Sequence, residues 1–246
     1  MSDLIAIAQS TFGRASRMKA LYFILIGCVL IVGAMGLYGV LSAGRAKEMM
    51  FDAALSLSLI VGMLTAMSSV FEIPRELKEQ TAQLILTKPL GRTHFIVGKF
   101  LGVSLLCVYN VAIVCIGSAL AIYMKYNSVD PNLYVGCALI AAEAVLLTAV
   151  GVMLSLLLRD AVAAVVLFLL FVIGHALHVL PVAFGGAFAV VGYILPNLYH
   201  TDFSVLLGNG ISLPREVFLW AICYSVTYSI AVLGIAVAVF QRRDVA

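Results

Sequence analysis

Glu143 is the residue whose position most needs a chemical reason. It lies about ten residues from either end of a long apolar run. A charge at the centre of a bilayer costs roughly 2.5–3.5 kcal/mol on insertion scales, so such a group faces protein or a water-filled cavity, or is protonated. Two readings stand side by side: contact with a transported substrate, or a hydrogen bond between helices to His175, His178 or a tyrosine. His175 and His178 are three residues apart and share one helical face. Two imidazoles could ligate a metal, but there is no second His pair for a haem and no H-E-x-x-H for zinc. No metal site and no catalytic set is expected. A phosphate-cradling loop is excluded as well, because Gly91 and Gly98-Lys99 have the wrong spacing and Phe100 stands where a hydroxyl is needed. Cys28, Cys107, Cys115, Cys137 and Cys223 all lie in apolar runs and read as free thiols acting as small hydrophobes.

The elements that hold these residues are membrane helices. The chain is 63% hydrophobic and 11% charged, whereas soluble domains carry about 25% charged residues. Apolar runs of about 18 residues or more mark crossings. Six are expected, over 20–41, 54–71, 95–122, 133–158, 161–180 and 216–240. The fold class is therefore all-α, a polytopic membrane protein read as one transmembrane domain over 1–246. Residues 3–19 suit a short helix lying in the membrane interface, and with no A-x-A site following, cleavage is not expected. The apolar stretch 182–195 is short, rich in glycine and bounded by Pro181 and Pro196, which favours a re-entrant piece over a seventh crossing. Gly98 and Gly102 at the start of the third span have the spacing that lets helices approach closely, although for any one such pair an ordinary intramembrane glycine is the simpler reading.

One polar interruption stands out, from Glu72 to Lys99. Pro74 is placed to start a helix and Pro89 to stop one. Between them Leu77, Thr81, Leu84 and Ile85 recur at helical period, opposite Arg75, Glu76, Lys78, Glu79, Gln80 and Gln83. The expected helix, 75–87, is too short to span a bilayer. With both termini inside, eleven of the 15 Lys and Arg residues fall on the inner side, so the interruption is expected to face the cytoplasm. Lys and Arg near the inner ends are expected to snorkel to headgroups.

At this point the sequence resembles a family. Permease subunits of type-two ABC exporters carry a cytoplasmic coupling helix between their second and third spans. The matching residues here are Arg75-Glu76, Glu79-Gln80-Thr81, Leu84-Ile85-Leu86, Pro89, Arg92 and Gly98-Lys99-Phe100, with Gln80 where the family usually has glycine. The resemblance covers essentially the whole chain, and the subgroup it points to is the small permeases similar to those serving multicopper-enzyme maturation, whose substrates vary widely. The resemblance implies a transport subunit of the plasma (inner) membrane that is not itself an enzyme. Two such subunits, identical or paralogous, would each grip a separate cytoplasmic ATPase that binds the ATP and magnesium. Arg75, Glu76, Lys78, Glu79, Gln80, Thr81, Leu84, Pro89 and Arg92 would form the coupling surface. Glu143, Phe168, Phe171 and His175 would be candidates for the translocation path, with membrane lipid around them and no role for nucleic acid. The alternative class is a stand-alone six-span ion-coupled carrier, or an intramembrane enzyme using Glu143 with His175 and His178.

Overall fold

The computed structural model describes residues 2–16, 19–36, 45–78, 92–177 and 195–242. Within them every regular element is a helix: α1 (Ser2–Ala15), α2 (Lys19–Met35), α3 (Ala46–Met67), α4 (Ser69–Lys78), α5 (Arg92–Tyr126), α6 (Asn132–Leu157), α7 (Asp160–Ala176), the short α8 (Ser204–Gly208) and α9 (Arg215–Arg242), with one 3₁₀ turn at Leu198–His200 before α8. Among the described residues four helical stretches are long and apolar enough to cross a membrane: Ala46–Arg75, Thr93–Tyr126, Asn132–Leu157 and Arg215–Gln241. Two shorter apolar helices, Tyr22–Met35 and Asp160–Ala176, accompany them. In lipid the backbone must satisfy its own hydrogen bonds, and helices do so within one segment. The chain is thus an all-α membrane protein.

The bundle is built around α6. Eighteen of its 26 residues are buried, and apolar side chains cover every face, as expected of a helix with neighbours all round. It packs against α3, α4, α5, α7 and α9. Small side chains set the closest approach: on α9, Ala221, Ser225, Ser229 and Ala236 form a buried stripe at helical spacing. Polar pairs then tie the helices together. Asn110 on α5 donates to Thr65 Oγ1 on α3 at 3.0 Å, and Cys107 on α5 meets Thr148 Oγ1 on α6 at 3.4 Å. Hydrogen bonds of this kind contribute modestly in lipid, averaging about 0.6 kcal/mol.

Gly98 and Gly102 have a definite task. They open the face of α5 on which α1 lies: a methyl group added at Gly102 would sit 2.8 Å from the Ala8 carbonyl oxygen, and one at Gly98 would sit 2.8 Å from Ile7. Ile7, Thr11 and Ala15, each one turn apart, are buried on α1. Thr11 satisfies its own hydroxyl by donating to the Ile7 carbonyl. Phe12 adds an edge-on contact to Tyr109 at 5.7 Å.

Pro74 does not start a helix. Helix α4 already begins at Ser69 and carries Pro74 inside it. The break lies instead at Ser68, where the chain tightens to three-residue hydrogen bonds from Ser68 N to Thr65 O and from Phe71 N to Ser68 O. The Ser68 and Ser69 hydroxyls bond back to the Thr65 and Ala66 carbonyls. Serine can take up backbone acceptors in this way, which makes it a natural place for a bend. Pro74 then removes the N–H that would have bonded to the Val70 carbonyl. The segments 79–91 and 182–195, apart from Leu195, lie outside the described residues, and with them most of the expected 75–87 helix and the expected re-entrant piece.

A buried polar cluster as candidate functional site

Glu143 lies near the middle of α6, about 17 Å along the helix axis from Asn132 at 1.5 Å per residue. It is 2% exposed. The chain returns to it from two directions. His175 reaches it from the last turn of α7, with Nε2 3.5 Å from Glu143 Oε1. Thr201 reaches it from the segment before α8, with Oγ1 3.0 Å from Glu143 Oε2. Asp202 follows directly, its Oδ2 4.0 Å from the same imidazole nitrogen. Thus two carboxylates, an imidazole and a hydroxyl converge inside an apolar bundle.

Each group is held by its own backbone. His175 Nδ1 lies 3.0 Å from the Phe171 carbonyl one turn earlier, and the two rings are in contact at 4.7 Å. Thr201 also lies 2.7 Å from the Leu198 carbonyl. Asp202 Oδ1 accepts from the Ser204 amide at 3.1 Å and from its hydroxyl, the local bond by which aspartate turns the chain into a helix.

The segment carrying Thr201 and Asp202 is packed into the bundle. Leu198, Thr201 and Leu207 are buried. Gly174 of α7 makes room for it, because a side chain there would fall 2.8 Å from both the Pro196 carbonyl oxygen and Leu198. On its other side the segment is tied to α9: the Asn197 amide donates to the Tyr224 hydroxyl at 2.9 Å, and His200 packs edge-on against Trp220 and Tyr224, both at 5.5 Å. A cavity of about 40 Å³ adjoins the cluster, lined by Ser56, Glu143, Thr201, Asp202 and Ser204 among apolar residues. That is room for roughly three waters at 10–15 Å³ each.

Residues 4–246 match the family described as "Protein of unknown function (DUF2705)". The chain belongs to the DUF2705 family. No curated protein matches it.

The residues singled out in the sequence are spread over this DUF2705 protein. Glu143 and His175 come together, whereas His178 lies outside the described residues. Phe171 touches His175, but Phe168 is 50% exposed on the outward face of α7 and takes no part in the cluster. Among the described residues no group of three His, Cys, Asp or Glu is arranged to hold a metal ion. Arg75 is exposed on α4, Glu76 and Lys78 lie in its last turn, and Arg92 is the first residue of α5. Glu79, Gln80, Thr81, Leu84 and Pro89 lie outside the described residues. Lys99 does not snorkel: it is 1% exposed, 3.5 Å from Glu72 Oε2 and 6.0 Å from the centre of the Phe95 ring. The first and last residues of the polar interruption are therefore paired with each other.

Thr201 and Asp202 escaped the sequence reading. The available signal was that Asp202 is the sole acidic residue between Asp160 and Glu216, followed two places later by serine.

Proposed function

We propose that this protein is the membrane-spanning subunit of an ATP-binding-cassette exporter. It crosses the membrane six times with both termini in the cytoplasm, and it works as a pair driven by two separate cytoplasmic ATPase subunits. The polar stretch 75–92 is the surface the ATPase grips. The ATPase supplies nucleotide and magnesium chemistry, and this chain moves the cargo.

The observation that carries this reading is the Glu72–Lys99 ion pair. A handle transmits force only if its base is fixed to what it moves. Glu72 belongs to α4, which continues α3, and Lys99 belongs to α5; their pairing inside the bundle joins both ends of the handle to one another. Phe95 and Phe240 stack nearby at 6.2 Å, and Gln241 donates to Thr93 Oγ1 at 3.3 Å, so the end of α9 is fixed to the same base. The residues that match the coupling-helix pattern, Arg75-Glu76 through Gly98-Lys99, begin and end at this pair.

The test is assembly. The full chain, purified in a mild detergent from cells that express it naturally, is expected to elute with a nucleotide-hydrolysing subunit identified by mass spectrometry, in a complex holding two of each. A chain that elutes with no such subunit, and with no hydrolysis in the fraction, would sink the proposal.

A further inference from the structure

We propose that Glu143, His175 and Asp202 form a proton-binding site inside the helical bundle, and that its proton fastens the segment 195–208 to α6 and α7. Two separate counts of donors and acceptors lead there. The first concerns the imidazole. A carbonyl oxygen only accepts, so His175 Nδ1, 3.0 Å from the Phe171 carbonyl, carries a hydrogen. A neutral ring then presents a lone pair at Nε2, aimed at Glu143 Oε1 and Asp202 Oδ2 at 3.5 and 4.0 Å. Ionised carboxylates only accept as well. Without a further proton the cluster sets acceptor against acceptor, with two like charges in a medium of low dielectric.

The second count concerns Thr201. Its single hydroxyl hydrogen is within reach of two acceptors, the Leu198 carbonyl at 2.7 Å and Glu143 Oε2 at 3.0 Å. Given to Glu143, it leaves the Leu198 carbonyl without it; given to the carbonyl, it leaves the Thr201 oxygen facing Glu143 Oε2, where a proton on Glu143 would let both contacts be bonds. One proton held between Glu143 and His175 relieves the conflicts. Carried by Glu143, it is donated either to the Thr201 oxygen or to the imidazole. Carried by Nε2, it points at both carboxylates.

One further carboxylate among the described residues stands near the segment: Asp52 of α3, one turn before Ser56, lies against Gly208, at the far end of the segment from Thr201. The α3 wall offers Leu55, Ser56 and Leu59. His200 is turned to Trp220 and Tyr224, and the Tyr224 hydroxyl accepts from the Asn197 amide. The small adjoining cavity, apolar except for Ser56, Thr201, Asp202 and Ser204, has room for water beside the carboxylate. Loss of the proton would set the Asp202 and Glu143 charges against one another around the imidazole lone pair, and Asp202 with Thr201 is the segment's polar attachment to α6 and α7.

The experiment uses the full chain in lipid nanodiscs and two readouts, protons released to an indicator dye on a jump to alkaline pH, and the midpoint of thermal unfolding against pH. The folded chain holds a proton that the unfolded chain gives up near neutrality. Stability is then fully present at mildly acidic pH and declines as pH rises, the unfolding equilibrium moving by up to tenfold per pH unit. Glu143→Gln supplies a permanent amide donor. It is expected to release one proton fewer per chain and to flatten the pH dependence. Asp202→Asn keeps the acceptor that caps Ser204 and is expected to flatten it in part; it serves as the readout if Glu143→Gln does not fold. Proton release and pH dependence equal to wild type in the folded variants would overturn the proposal.

Discussion

At the scale of single residues, the bundle spends its few charges in pairs. Glu72 and Lys99 are nearly solvent-free, and two ions out of water are tolerated only together. Removing one partner takes the counter-charge from a buried ion, at a cost of about 3–5 kcal/mol, while exchanging both for apolar residues of similar size is often neutral or better. Glu72→Leu and Lys99→Met are therefore each expected to lower the unfolding midpoint sharply, and the double variant to regain most of the loss. A double-mutant cycle on the purified chain measures this; additive losses would show that the two side chains do not act on each other. Isolated charges of this kind are visible in an apolar sequence because nothing around them resembles them. Glu143 and His175 were legible for that reason. Their partner Thr201, 58 positions from Glu143, was not, since no periodicity links a helix to an irregular segment lying across it.

At the scale of elements, length and composition carry far. An apolar run long enough to cross lipid has little choice but to be helical, so the helix class and the approximate location of α3, α5, α6 and α9 follow from the sequence alone. The bend at Ser68 was less legible, because Pro74 is the louder signal and a proline placed in a helix reads first as a boundary. Docking of α1 is a matter of two glycines. At Gly102 an added side chain meets the Ala8 carbonyl and the Thr11 Cβ, backbone and branched atoms that cannot swing aside. Overpacking of this sort costs about 1–3 kcal/mol. Gly102→Val is expected to detach α1 without unfolding the other helices. Limited proteolysis checks it: cleavage after Arg14 is expected to accelerate in the variant, and equal rates would mean that α1 is held by other contacts.

At the scale of the whole molecule, the two ends of the bundle differ in kind. One end gathers α1, α4, the start of α5 and the end of α9 around the Glu72–Lys99 pair. From the other side the segment 195–208 enters and reaches the buried cluster half-way along α6. Along the side, Val162, Val165, Phe168, Leu169 and Val172 leave one face of α7 apolar and exposed, a surface suited to lipid or to a second subunit. Force applied at the first end would have to travel through α5 and α6 to reach the cluster. On the proposed function this makes Glu76 decisive, because it stands in the last turn of α4, just outside the paired base. Glu76→Arg reverses one charge on the proposed gripping surface and changes neither member of the buried pair. The variant is expected to express and assemble its helices as wild type does, while nucleotide hydrolysis by the associated subunit falls to its unstimulated rate and transport ceases. Normal transport with the charge reversed would mean that this end of the bundle is not where the energy enters.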